Sequence, residues 1–325
     1  MVHEEKKFLT ISENYQYHER VDNLYPIHRN SLENINKIIR FITGKAFGVV
    51  LAGGGRKGWV HLGVIKALIQ EKIPIDFIGG TSSGSIISSV YTLSEDFKNF
   101  EEQVSYLLGE NEKVLSIRDF TFPAVAITNS ERYTNKLINV FGDKKIEELT
   151  GNLFIVACNL TRKEQVVFRN GSIWEAIRAS CAIPGIVPPM VIDEDLYVDG
   201  GVINNLPTDV MRQILGEQSK IIAVDLSFST KSPPRFHFPP ILGNFDLLKS
   251  KLLTKQYKLP SIKNIILRSL LVSSHQTEQQ NLALADISIR PSLQGYDLFS
   301  SNTENLSELG YSETMRALEN WQDAP

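Results

Sequence analysis

From Ser31 onward apolar residues recur at helical spacing, with Ile35, Ile38, Ile39 and Ile42 on one face before Gly44. That pattern predicts a helix, with Ser31 and Asn34 able to cap its start. The run then changes character: Ala46 to Ala52, FGVVL at its centre, is continuously apolar and bounded by glycines, as a strand covered on both faces would be. Lys57 to Glu71 returns to the helical period through Val60, Val64, Ala67 and Leu68, Pro74 breaks it, and Ile75 to Ile78 is a second apolar strand. Strand, helix and strand within some 30 residues make a βαβ unit, whose crossover implies parallel strands and an α/β fold. Further on, a helix is expected at Ser83 to Leu93. Strands are expected at Leu153 to Asn159, Gln165 to Phe168, Leu196 to Val198 and Lys220 to Asp225, and helices near Ile173 to Ser180 and Pro207 to Leu215. Residues 229–263 interrupt the alternation with SPPRFHFPPILGNF and then lysines among leucines. That stretch reads as a surface excursion, as a cover over a site, or as a surface that touches lipid. After it, Ile265 to Leu284 and Glu304 to Leu318 look helical, with Ile287 to Ile289 extended between them.

Composition removes several classes. The 325 residues are 42% hydrophobic and 22% charged, which suits a globular chain with a sizeable core. A net charge of −3, with basic and acidic residues interspersed, leaves no electrostatic footprint for nucleic acid. The first twelve residues, MVHEEKKFLTIS, lack the apolar core of a signal peptide, and no apolar run approaches the roughly 18 to 20 residues of a membrane span. Cys158 and Cys181 are the two cysteines. One potential pair is no disulfide framework, so buried reduced thiols and a cytoplasmic setting are expected.

Two glycine-rich turns carry the candidate chemistry. Gly53-Gly54-Gly55-Arg56-Lys57-Gly58 follows a strand and opens a helix, and its spacing satisfies G-x-G-x-x-G. A dinucleotide fold would place a ribose-binding acid at the carboxyl end of the second strand, whereas Asp76 precedes most of that strand and the far end is Gly79-Gly80-Thr81-Ser82. A Walker loop fails too, because Trp59 stands where lysine is required. What remains is a row of backbone N–H groups suited to an anionic oxygen. The second turn, Gly80-Thr81-Ser82-Ser83-Gly84, has the G-x-S-x-G form of a nucleophile elbow, with Ser82 as the only serine flanked by glycines two positions away on both sides. The same residues also suit a glycine-rich cap of the following helix.

A nucleophilic serine needs a base. His237 and His275 are the histidines beyond the later acids, and neither has the strand-to-loop context of a triad base; His61 sits on a helix, where packing or capping is its natural role. Asp199, in Leu196-Tyr197-Val198-Asp199-Gly200-Gly201, ends a strand and precedes two glycines. Taken alone, Asp-Gly-Gly reads as a plain turn.

In this order and spacing, GGGRKG, GTSSG and DGG resemble the motifs of the patatin-like phospholipases, closely over residues 48–212. The stretches FITGKAFGVVLAGGG, GSIWEAIRASCAIPGIVPP and VDGGVINNLPTDV are similar to the neuropathy-target-esterase branch of that family, as are Ala285-Asp286-Ile287 and Glu308-Leu309-Gly310-Tyr311 near the end. The resemblance implies a three-layer α/β/α fold with a central, mostly parallel sheet and a strand-turn-helix elbow. It also implies a lipid acyl hydrolase of phospholipase A or lysophospholipase type, working through an acyl-enzyme with a Ser-Asp dyad and needing neither metal nor cofactor. Carried over by position, Ser82 is the nucleophile, Asp199 its base, and Gly54, Gly55 and Arg56 the backbone donors to the oxyanion. Gly53, Lys57 and Gly58 complete the glycine-rich motif, Gly80 and Gly84 flank the nucleophile, and Gly200 and Gly201 follow the base. Arg56 stands where the family often has alanine, which leaves the role of its side chain open. Ile183, Ile186 and Val187 of the IPGIVPP segment either line an acyl pocket or pack in the core.

The expected partner is a phospholipid or lysophospholipid, met through transient contact with a membrane surface by a peripheral protein. A triacylglycerol lipase, a general esterase, or a lipid-binding module of the same fold without activity are the alternatives. A leader over residues 1–30 and a catalytic domain over 31–325, with a C-terminal extension from 213, complete the expected layout. The regulatory region that commonly precedes the esterase in that branch is not expected within these 325 residues.

Overall fold

Three apolar runs become the buried middle of a sheet. In the computed structural model, which describes residues 32–109, 119–122, 124–227, 241, 243, 262–296 and 303–321, β1 (Phe47–Leu51), β2 (Phe77–Thr81) and β3 (Asn152–Asn159) are buried at every position. Helices cover both faces of such strands, so nothing selects for alternation. The expected leader, the Ser31 cap, His237 and nearly all of the excursion at 229–263 lie outside the described residues. The remaining strands are β4 (Glu164–Phe168), β5 (Met190–Ile192), β6 (Asp195–Asp199), β7 (Lys220–Val224) and β8 (Ile287–Ile289). Their order is β5-β6-β3-β2-β1-β7-β8, with β4 also on β3. The strands β3, β2, β1, β7 and β8 run parallel, β4 and β6 pair antiparallel with β3, and β5 pairs antiparallel with β6. The sheet is mixed, central and mostly parallel.

The flanking helices are α1 (Leu32–Ile42), α2 (Trp59–Gln70), α3 (Ser83–Leu93), α4 (Phe97–Leu108), α5 (Glu131–Phe141), α6 (Ile173–Ser180), α7 (Thr208–Leu215), α8 (Ile262–Leu282) and α9 (Leu306–Glu319). Sequence periodicity did not single out α4 and α5. Each buries a narrow stripe, Phe100, Val104 and Leu107 on one and Leu137 and Phe141 on the other, too sparse to stand out among their polar residues. None of the described helices is long and apolar enough to cross a membrane.

Helix α1 forms where expected, yet three of its four isoleucines face outward and only Ile38 is half-buried. Ile35 and Ile39 are each 51% exposed and Ile42 80%. The seating is set instead by Arg40, whose guanidinium forks onto Asp76 at 2.7 and 2.6 Å, and by Phe41 packing on the core. Asp76 also accepts the Phe47 N–H at 3.0 Å. The acid excluded as a ribose partner therefore fastens a helix to the entry of β1.

At the other end of the chain, α9 crosses α2 at backbone contact. A side chain at Gly310 would strike the carbonyl of Val60, and one at Gly63 the carbonyl of Ser307. The glycine of Glu308-Leu309-Gly310-Tyr311 is thus a packing requirement. Because β7 and β8 lie beside β1 in the same sheet, the residues beyond 212 complete the structure on which the two glycine turns stand.

Candidate active site

The elbow is built where β2 meets α3. Ser82 sits between them at φ 52° and ψ −122°, a conformation that costs a non-glycine residue about 1 to 3 kcal/mol and persists where the surroundings dictate it. Here the surroundings are the neighbouring strand: a Cβ on Gly80 or on Gly84 would collide with the Leu51 carbonyl oxygen. The two glycines let the turn close against β1 and push the intervening serine outward. Ser85 ties the turn from inside, its N–H and hydroxyl both donating to the Ser82 carbonyl, at 2.9 and 2.6 Å.

Asp199 arrives from the opposite direction. On β3, Val156 is the partner of Thr81 and the next residue, Ala157, is the partner of Asp199. Since β4 occupies the other edge of β3 through this stretch, β2 and β6 share one edge and meet there end to end. One step past Thr81 brings the serine level with the aspartate. The Ser82 hydroxyl donates to Asp199 Oδ2 at 2.8 Å across 117 residues of sequence. The Gly201 N–H donates to Oδ1 at 2.8 Å, and the Asp199 N–H is held by the Ala182 carbonyl at 2.9 Å. Gly200 is obligatory because a Cβ there would meet the Val156 carbonyl.

With Ser82 9% and Asp199 7% exposed, the carboxylate has little water around it. Burial pushes its pKa up to about 6, against the opposing pull of the Gly201 N–H and the Ser82 hydroxyl. A carboxylate destabilised in this way is a stronger base than one in water, while still ionised at neutral pH.

The glycine-rich loop lies alongside. The Gly53 N–H donates to the Asn205 carbonyl at 3.1 Å, and the Gly54 N–H donates to Ser83 Oγ at 3.0 Å. Gly55, at φ +55°, opens a 3-10 turn over Gly55–Gly58, whose first N–H groups have no intrahelical carbonyl to meet. The two cations of the motif diverge. Arg56 is buried and donates from Nη1 to the Leu108 carbonyl at the end of α4, at 2.9 Å, where the helix presents partial negative charge. Lys57 Nζ donates to the Leu226 carbonyl beyond β7 at 3.2 Å. Both side chains thus brace the loop against neighbouring elements.

A family model described as patatin-like phospholipase matches residues 49–212, half of the chain. The chain belongs to the patatin-like phospholipase family. An uncharacterized NTE family protein of Mycobacterium bovis is 33% identical over 251 residues, 76% of this chain and 42% of that one. Lysophospholipase NTE1 of Yarrowia lipolytica is 32% identical over 230 residues, 70% of this chain and 16% of that one. The chain spans less than half the length of these relatives. The crystal structure of VipD from Legionella pneumophila aligns with a TM-score of 0.49 at 15% identity, over 85% of this chain and 67% of that one.

In this patatin-like chain several polar residues support the site without having been singled out from sequence. Ser180 accepts the Ser82 N–H at 2.8 Å and donates to the Val156 carbonyl at 2.6 Å, joining the elbow to β3. Ser83, two residues past the Gly80-Thr81 pair, caps the Gly54 N–H. Thr81 donates to the Asn204 carbonyl at 2.8 Å. Their sequence signal is their place within the motifs, GTSSG, RASCAIPG and VINNLP.

The histidines divide as their contexts implied. His61 is fully buried with Nε2 2.9 Å from the Ala52 carbonyl, and burial lowers its pKa to about 4. It is a neutral ring that holds the entrance to the glycine loop. His275 on α8 faces Glu278 at 3.4 Å and is largely exposed. Cys158 and Cys181 are free thiols, and burial, reinforced by Asp199, pushes Cys181 up to about 12. In the IPGIVPP segment Ile186 is in the core at 1% exposure, while Ile183 and Val187 are half-buried. Among the described residues no group of three or more His, Cys, Asp or Glu is placed to hold a metal ion.

Proposed function

We propose that this protein hydrolyses carboxylic esters of phospholipids or lysophospholipids through an acyl-enzyme on Ser82, with Asp199 as the base. The observation that carries the reading is the 2.8 Å contact between the two buried side chains. As Ser82 Oγ attacks the ester carbonyl, its proton passes to Asp199 Oδ2. The carbonyl oxygen becomes an oxyanion held by the N–H groups of Gly55 and Arg56. Gly54, expected to donate as well, has its N–H engaged by Ser83 Oγ at 3.0 Å, so in this arrangement it ties the loop to the elbow. Collapse of the intermediate expels the alcohol, which takes the proton from Asp199. A water molecule then gives its proton to Asp199 and its oxygen to the acyl carbon, releasing the fatty acid and restoring Ser82. Each preorganised donor of this kind contributes roughly 3 to 4 kcal/mol to the barrier reduction.

The lipid class is supported by family membership and by the name of the Yarrowia relative, a lysophospholipase. Ile183 and Val187, just past the Ala182 carbonyl that holds Asp199, would line the path of the acyl chain. The deciding experiment treats the protein with a serine-directed fluorophosphonate and follows fatty-acid release from lysophosphatidylcholine and from a triacylglycerol, for wild type and Ser82→Ala. Labelling and lysolipid hydrolysis should both vanish in the variant. Labelling that survives Ser82→Ala would remove the nucleophile assignment, and preferential release from triacylglycerol would move the substrate class.

The acid limb of kcat/KM should follow Asp199. The residue acts as a base only when ionised, so activity should fall as pH drops through about 6, reaching about a tenth of its plateau one pH unit below. A limb that titrates near 7 and disappears on replacing a histidine would point to a different base.

Contact with a lipid surface is proposed through the segment before α5. Phe120, Phe122 and Val125 are 50%, 85% and 69% exposed, and the same segment is tied to the site-flanking loop by Ile127 N–H to the Gly185 carbonyl and Thr128 N–H to the Ile186 carbonyl, both 3.1 Å. Charged replacements, Phe122→Asp with Val125→Asp, should weaken sedimentation with phosphatidylcholine vesicles while leaving hydrolysis of a water-soluble short-chain ester unchanged. Equal vesicle binding by variant and wild type would rule the patch out.

A further inference from the structure

The glycine loop is held by a helix that lies outside the span matched to the family. Asn205 contacts Gly53 twice: its carbonyl accepts the Gly53 N–H at 3.1 Å, and its Nδ2 donates to the Gly53 carbonyl at 3.2 Å. Both backbone polar groups of Gly53 thus end on one residue. The same Nδ2 donates to Glu278 Oε1 on α8 at 3.3 Å. Asn205 is 8% and Glu278 3% exposed. Near one turn further along α8, Asn281 Nδ2 donates to Asn204 Oδ1 at 3.0 Å, to the Leu206 carbonyl at 2.8 Å and to Asp209 Oδ1 at 3.0 Å. Successive turns of α8 therefore grip the Asn204-Asn205 pair that follows the Asp-Gly-Gly turn.

The chemistry of the contact gives Glu278 a specific task. A carboxamide has a donor end and an acceptor end that fit the same space, so a buried asparagine needs a neighbour to choose between them. Glu278 Oε1 is the acceptor, and it takes the NH2 end. With that end fixed, the Gly53 carbonyl meets a donor; with the amide reversed, it would face Asn205 Oδ1, oxygen against oxygen.

We infer that Glu278 is a positioning residue: by orienting the Asn205 amide it sets Gly53 and so aims the Gly55 and Arg56 N–H groups at the oxyanion. The inference rests on the acyl-hydrolase reading for its kinetic consequence and on the loop geometry for its structural one. It makes α8 part of the apparatus that positions the loop, without touching substrate.

The test compares the full chain with Glu278→Ala, Glu278→Gln, Asn205→Ala and the Glu278→Ala/Asn205→Ala double variant. Two readouts are needed, kcat and KM on a water-soluble acyl ester and amide hydrogen exchange over residues 53–58. Misaimed donors act on the transition state, so Glu278→Ala should lower kcat roughly 10- to 100-fold with KM within about twofold. Glu278→Gln, which keeps an acceptor of the same reach, should recover most of that loss. The double variant should be no worse than the poorer single one, because both substitutions break one linkage. Loop amides should exchange faster in Glu278→Ala and at the wild-type rate in Glu278→Gln.

Wild-type exchange of the loop in Glu278→Ala would overturn the inference whatever the activity. So would losses that multiply in the double variant, or a Glu278→Gln variant as impaired as Glu278→Ala. If Glu278→Ala does not fold, Glu278→Met fills the volume without an acceptor and reads the same outcomes. A wild-type protein with no Ser82-dependent hydrolysis would instead defeat the functional reading, and loop exchange would still decide this one.

Discussion

Asp199→Asn is expected to lower kcat/KM for ester hydrolysis roughly 10^3- to 10^4-fold and, above pH 7, to make the protein more stable. The first effect follows from the loss of the only proton acceptor in contact with Ser82 Oγ among the described residues. The second follows from burial. In the folded protein the Asp199 pKa is about 6, against 3.8 for the unperturbed group, so the native state binds a proton that the unfolded chain has already released. Above about pH 6 the carboxylate is charged in both states and the folded protein bears the cost of its burial. As pH falls from about 6 toward 4, the native carboxyl protonates first and that cost is relieved.

Asparagine is neutral at every pH and keeps an oxygen for the Ser82 hydroxyl or the Gly201 N–H. The gain should therefore be about 1 to 3 kcal/mol above pH 7 and should shrink toward zero near pH 4. Urea unfolding of wild type and variant at pH 8 and pH 4, together with steady-state kinetics at pH 8, measures both. A variant that keeps its activity would show that another group takes the proton. Equal stabilities at pH 8 would show that the charged carboxylate is not a burden in the fold.

The second large effect is expected at the elbow. Gly84→Ala places a methyl group against the Leu51 carbonyl, which is central-strand backbone with no flexible end to move aside. The variant should lose more than about 3 kcal/mol of stability, in the range reserved for a named structural clash, and any folded fraction should label poorly with fluorophosphonate because the turn must open to admit the new group. Gly142→Ala is the control. There the added carbon meets nothing within 4 Å, and only the backbone conformation, φ 52° and ψ −134°, is unfavourable, so a loss of about 1 to 3 kcal/mol is expected with labelling unchanged. Thermal unfolding and labelling rates of the two variants separate steric closure of the elbow from backbone strain alone. Similar losses in both would mean that the contact with Leu51 does not define the turn.

The candidate site is written unevenly in the chain. Ser82 was legible from five consecutive residues, because a tight strand-to-helix turn needs glycines at fixed local offsets, and Leu51 shows what they make room for. Asp199 was not. Its Asp-Gly-Gly taken alone was a plain turn, and resemblance to a family suggested a role for it before the fold placed it beside Ser82. The physical connection between the two is the pairing of β3 with β2 through Val156 and with β6 through Ala157, a register that no local pattern contains.

Elsewhere the boundary falls in the same place. Apolar runs and helical periods determined β1, β2, β3, the α2 and α3 helices and the α/β class, because a strand or helix is a local backbone arrangement whose side-chain period is set by its own geometry. Which face a helix buries was decided by its neighbours: α1 kept its period but left Ile35, Ile39 and Ile42 exposed while Arg40 reached Asp76. Arg56, whose side-chain role the sequence left open, bonds to the end of α4. Glu278 and Asn281 were two polar residues on a late helix until the fold brought them onto Asn205 and Asn204. Sequence alone determined the elements and the nucleophile turn, which depend on contacts a few residues long. Tertiary structure decided the contact between Ser82 and Asp199, the bracing of the glycine loop and the seating of α1, because each depends on groups that meet only after the sheet has chosen its register.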